Sequence, residues 1–204
     1  MKRLNLCILS MAIAAVVISC NEGSNTTAAT STSDQTGNTV TNPTGSVGDT
    51  TSLTGGSNTP LSGQDSAFAM KAAAGGMMEV EAGNAAQQKA QHERVKAYGA
   101  MMVRDHNTAN QELMTILSGR GLTPPATLPA EHKAHVDALN KTSGAAFDKQ
   151  YMGMMVSDHE KTIADFEKQA SAGTDADLKA FATKTLPALR AHRDSAVAIN
   201  AAIK

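Results

Sequence analysis

Tyr98-Gly99-Ala100-Met101-Met102-Val103-Arg104-Asp105-His106 returns as Tyr151-Met152-Gly153-Met154-Met155-Val156-Ser157-Asp158-His159, identical at six of nine positions and displaced by 53 residues. Both copies lie in Ala- and Met-rich sequence whose apolar residues recur at steps of three and four, the mark of amphipathic helices. No strand-like alternation persists after Gly63. Chance similarity between two such helices is the competing explanation, but it does not account for an Asp-His pair closing each copy. The repeat is read as pseudo-twofold symmetry between two helical hairpins.

Outward from the repeat, start and stop signals divide the chain into helices. The first is expected from Asp65, taken as its N-cap, to about Gln88, and the second from Glu93 to Ser118, where Gly119 and Gly121 stop it. Pro124, Pro125 and Pro129 then force an extended connection, followed by a short helix over Ala130 to Lys141. A third long helix covers Ala145 to Ser171. The fourth follows Thr174, which with Asp177 resembles a capping box, and carries Pro187 as an expected kink. Two antiparallel hairpins joined by a long crossover containing a short helix give an all-α, ferritin-like four-helix bundle; an up-down bundle with a decorated loop is the alternative.

Helical spacing decides where the histidines point. His106 shares a stripe with Gly99, Met102 and Leu113, His159 with Val156, Ile163 and Phe166, and His192 with Leu189, Ala196 and Ile199. The first helix offers Phe68, Ala72, Gly75, Glu79 and Ala82, with Glu79 the only charge on that stripe. Each long helix thus supplies one inward candidate ligand. Counted from the turns, Glu79 and His106 are nearly level, whereas His159 and His192 differ by roughly 10 Å in straight helices, which makes His192 the weakest member. One carboxylate and three imidazoles suit one transition-metal ion, Zn²⁺, Cu²⁺ or Fe²⁺. Asp105 and Asp158, about 100° around the helix from each His, are read as partners that orient the ligands from behind, caps on neighbouring backbone or surface ion pairs rather than as ligands. Two other readings stay open: a buried polar network that only fixes helix register, or histidines left exposed by a misread period. Buried neutral histidines would also make acid destabilising below their unfolded pKa near 6.5.

The remaining candidates are blander. His92, His132 and His135 fall at helix starts or on the crossover and read as solvated. The pairs Met77-Met78, Met101-Met102 and Met154-Met155 can suggest soft Cu(I) ligands, but flexible core filler beside small residues is the favoured reading. Gly75, Gly76 and Gly83 point to close approach of a neighbouring helix. Four Phe, two Tyr, no Trp and a net charge of −1 exclude a stacking or basic surface for nucleic acid.

The N-terminus has a different character. Lys2 and Arg3 precede an apolar run from Leu4 to Ile18, and Ser19-Cys20 follows, the arrangement of an export signal over residues 1–19 with Cys20 as the lipid acceptor. Membrane attachment would come from the acyl chains, so no basic patch is required. From Asn21 to Gly63, 34 of 43 residues are Ser, Thr, Asn, Gln, Gly or Pro, and residues 20–63 are read as a lipidated disordered tether. Residues 64–204 form the folded domain.

Gly75-Gly76-Met77-Met78-Glu79-Val80-Glu81, the two Met-Val-x-Asp-His segments and Leu186-Pro187-x-Leu189-x-x-His192 together resemble the domain-of-unknown-function 4142 family, over about residues 64 to 200. That resemblance implies a ferritin-like bundle in an exported bacterial envelope protein, with no settled activity. The chain departs from di-iron ferritin-like enzymes, because Val103, Val156 and Leu189 stand where Glu-x-x-His would need a carboxylate. The expectation is a lipid-anchored envelope protein, outer membrane facing the periplasm or the surface, acting as a non-enzymatic binding or stress-related module. A structural interaction module and a metal-dependent redox enzyme are the rival expectations.

Overall fold

The computed structural model describes residues 60–203. The export signal, the Cys20 acceptor and nearly all of the tether lie outside the described residues. Within them the chain forms α1 (Gly63–Lys89), α2 (Glu93–Ser118), α3 (Ala130–Asn140), α4 (Gly144–Ala172) and α5 (Ala176–Ala202), with no strand. The fold is all-α. Helices α1 and α2 pair as one antiparallel hairpin and α4 and α5 as the other, and α3 lies in the connection.

The repeat now has a geometric meaning. Tyr98 meets Tyr151 at 6.1 Å between ring centroids and His106 meets His159 at 5.9 Å, so residues eight apart on α2 stay level with residues eight apart on α4. Only parallel helices in matched register keep both contacts. The chain therefore returns through the connection before α4 begins, and the twofold that relates the repeats runs along the bundle.

Two buried aspartates tie the hairpins end to end. Asp65 accepts hydrogen bonds from Gln169 Nε2 (2.6 Å), from the Thr174 backbone N–H and hydroxyl, and from the Asp175 backbone N–H (3.1 Å). Asp148, near the start of α4, accepts from the backbone N–H groups of Gln91 (3.0 Å) and His92 (2.9 Å). Each hairpin thus receives the other's turn on a carboxylate. These bonds also correct two expected caps. Ser62 is the N-cap of α1: its hydroxyl oxygen accepts from the Asp65 backbone N–H and its O–H donates to the Asp65 carboxylate. Asp175 caps α5, accepting from Asp177 and Leu178, because the Thr174 hydroxyl is spent on Asp65.

The core has two apolar halves. Toward the α1–α2 turn, Ala82, Ala86, Tyr98, Met102, Phe147, Tyr151 and Met155 pack with Ala196 and Ile199. Toward the α4–α5 turn, Phe68, Leu113, Leu117, Phe166, Leu178, Phe181 and Leu189 form the second cluster. Met102, Met152 and Met155 belong to the first cluster as filler, and Met78 is buried outside both clusters. Gly83 and Gly99 bring α1 and α2 together at backbone distance, since a Cβ on Gly83 would stand 2.7 Å from the Gly99 carbonyl oxygen. No helix among the described residues is long and apolar enough to cross a membrane.

Candidate metal centre

Between the two apolar halves lies a polar layer. Glu79 from α1, His106 from α2, His159 from α4 and His192 from α5 are 4 %, 7 %, 0 % and 4 % exposed, so the four stripes do face one interior. Glu79 Oε2 is 2.7 Å from His106 Nε2, and Glu79 Oε1 is 3.4 Å from His159 Nδ1. The three imidazoles stand 5.4 to 5.9 Å apart between centroids. One ligand atom from each can be chosen so that all lie within 4.8 Å of one another.

His192 belongs to this group despite the level mismatch expected from residue counting. Asp175 caps α5, so the turn is centred near 174, and His159 and His192 lie about 15 and 18 residues from it, an axial difference of roughly 4.5 Å. The Cα–Cβ bond leans toward a helix's own N-terminus, so His159 leans away from the turn and His192 leans toward it. Both leans close the remaining gap. Glu79 and His106 repeat the same three-residue offset about the first turn.

The outer partners fix which nitrogen each ring offers. His192 Nε2 is 3.0 Å from Asp105 Oδ2, and His159 Nδ1 is 2.9 Å from the Met155 carbonyl oxygen. An acceptor at one ring nitrogen holds the proton there and leaves the lone pair on the other. That leaves His192 Nδ1 and His159 Nε2, and both are buried without a hydrogen-bond partner. His106 Nε2 is the exception, facing the Glu79 carboxylate at 2.7 Å. Asp158 does not play the part of Asp105. It lies 3.7 Å from Lys161 Nζ and lines a cleft instead.

The charges follow from this packing. Burial alone would raise the Glu79 pKa, but the imidazoles of His106, His159 and His192 outweigh it and hold the carboxyl at about 2. Burial likewise opposes charge on His106, yet the Glu79 carboxylate wins and raises its pKa. For His192 burial wins, and its pKa is lowered. The uniform acid sensitivity expected of neutral seam histidines is thus not what the layer offers, because His106 and His192 are pushed in opposite directions.

Three imidazole nitrogens and a carboxylate match the donor set of Zn²⁺, Cu²⁺ or Fe²⁺. Metal–nitrogen bonds are only about 2.1 Å long, so binding would draw the three rings closer together than they stand here. The other histidines lie apart from this layer: His92 Nδ1 accepts from the Arg94 N–H and caps α2, His135 is exposed, and His132 is half-buried on α3.

A family profile described as Domain of unknown function (DUF4142) matches residues 50–199. The chain belongs to this family. The description assigns no activity, so membership in DUF4142 leaves the site to be argued from its geometry. Among solved structures, the chain is similar to a DUF305 fragment from Deinococcus radiodurans, at 12 % identity and a TM-score of 0.62, covering 70 % of this chain and 99 % of that one. This likeness is one of fold alone. No curated protein matches the chain.

Proposed function

We propose that this DUF4142 domain binds one transition-metal ion in its polar layer, with Glu79, His106, His159 and His192 as ligands and Asp105 orienting His192. The observation that carries the reading is the pair of buried ring nitrogens, His159 Nε2 and His192 Nδ1, left without hydrogen-bond partners on rings whose opposite nitrogen is held by an acceptor. A layer built only to fix register would satisfy its own polar atoms, because each buried unpaired group costs roughly 1–3 kcal/mol. A metal ion uses those lone pairs. The export signal, Cys20 as lipid acceptor and the Ser/Thr-rich segment after it, as read from the sequence, complete the proposal: a binding module held at the cell envelope rather than an enzyme.

Binding must displace the proton that Glu79 stabilises on His106, so affinity should fall as pH drops. Isothermal titration of Zn²⁺ or Cu²⁺ into the chelator-treated protein is expected to show one site per chain, abolished in His106→Ala and retained in His135→Ala. Undiminished binding by His106→Ala, or no binding by the unaltered chain, would refute the site.

A further inference from the structure

The polar layer is sealed by the apolar clusters above and below it, which raises the question of how an ion reaches it. A cleft of about 230 Å³ answers this, because Glu79 and His106 line its inner end while His132 and His135 of α3 and Asp158 of α4 line it farther out. His159 and His192 do not line it. The ion therefore meets Glu79 and His106 first.

The outer walls are built for a cation. Glu131, Asp158 and Asp165 line this outer part against Lys71 and Lys161. Each lysine is already matched, Lys71 to Asp165 at 2.5 Å and Lys161 to Asp158 at 3.7 Å, so the carboxylates keep the excess. Asp158 Oδ2 and His132 Nδ1 are screened from water and have no hydrogen-bond partner. Carboxylate and imidazole are the donor types that exchange with the water shell of a divalent transition metal. Gly75 borders the same cleft, and a Cβ added to it would meet nothing within 4 Å.

Resting on the metal reading above, we propose that this cleft is the loading route of the centre, and that Asp158 and His132 hold a hydrated divalent cation in transit before it passes to Glu79 and His106. They act on the rate of exchange and leave the equilibrium unchanged, since the ion's final ligands are the same with or without them.

The test is stopped-flow loading of the chelator-treated protein with Co²⁺, followed by its visible absorption, with release measured by chelator chase. Two variants probe the route by different means. The pair Asp158→Asn with His132→Gln removes the outer donors, and Gly75→Leu adds bulk at the cleft wall without removing a ligand or a charge. Both are expected to slow loading and release together by at least tenfold, with equilibrium affinity within threefold of the unaltered chain. Wild-type rates in either variant would overturn the route while leaving the inner site standing, and so would a tenfold loss of equilibrium affinity at unchanged release. If the unaltered chain takes up no Co²⁺, Zn²⁺ or Cu²⁺, the metal reading itself fails and takes the route with it.

Discussion

Asp65 and Glu79 are both buried carboxylates on α1, yet they have opposite surroundings. Around Asp65 every neighbour is a hydrogen-bond donor already in use: the Ser62 and Thr174 hydroxyls, the Gln169 amide and the Thr174 and Asp175 backbone N–H groups. Burial alone would raise its pKa, but these donors outweigh it and hold the carboxyl well below the usual range. Around Glu79 the neighbours are imidazoles that keep unpartnered nitrogens of their own. A buried charge whose donors are all satisfied is a joint. One whose neighbours retain free lone pairs is the ligand set we propose.

The contrast can be broken by substitution, and the largest effect belongs to the joint. Asp65→Ala strands several buried donors at the junction between α1 and the α4–α5 turn, and should cost on the order of 3–5 kcal/mol in urea unfolding while leaving metal affinity unchanged. Its pH dependence is signed. Because the folded pKa is depressed, the contribution is complete above the unfolded value near 3.9 and is lost as pH falls through the folded one, so the gap between wild type and Asp65→Asn should narrow below about pH 4.

Glu79→Gln should do the reverse. The imidazoles can release their protons rather than remain as uncompensated charge, so the metal-free domain should change by less than about 1.5 kcal/mol. Metal affinity should fall at least about 100-fold, equivalent to roughly 2.7 kcal/mol, in the same titration. Asp105→Asn weakens only the partner behind His192, and a loss of about 10- to 100-fold is expected with stability nearly unchanged. An effect of comparable size concerns the spacing between α1 and α2. Gly83→Ala forces a methyl against the Gly99 carbonyl and should cost about 1–3 kcal/mol by thermal unfolding, with a modest loss of affinity as Glu79 moves from His106.

Periodicity made the helices and the inward stripes legible, because a 3.6-residue repeat of apolar side chains is written directly in the sequence. It placed Glu79, His106 and His159 in one interior without further information. His192 was harder, since residue counting neglects the lean of Cβ toward each helix's N-terminus, which in an antiparallel hairpin moves the two side chains toward each other. The roles of Asp65 and Asp148 were not legible at all. Their partners are backbone groups more than 50 residues away, and a carboxylate early in a helix looks the same whether it caps its own helix or a distant turn. Asp158 shows the limit of the repeat: it matches Asp105 in sequence, but Lys161 and the cleft take it where Asp105 meets His192. Arg120 was missed as well, although its nearly buried guanidinium joins the end of α2 to Asp175 and Asp177 at the start of α5.

The central claim is that three imidazoles and one carboxylate from four separate helices close on a single ion. X-ray absorption of the zinc-loaded protein examines that arrangement most directly. Three nitrogen neighbours with imidazole scattering and carboxylate oxygen, all at about 2.0–2.2 Å, are expected, with one imidazole lost in His192→Ala. A shell of oxygen alone, a thioether sulfur in the first shell, or an unaltered spectrum in that variant would contradict it.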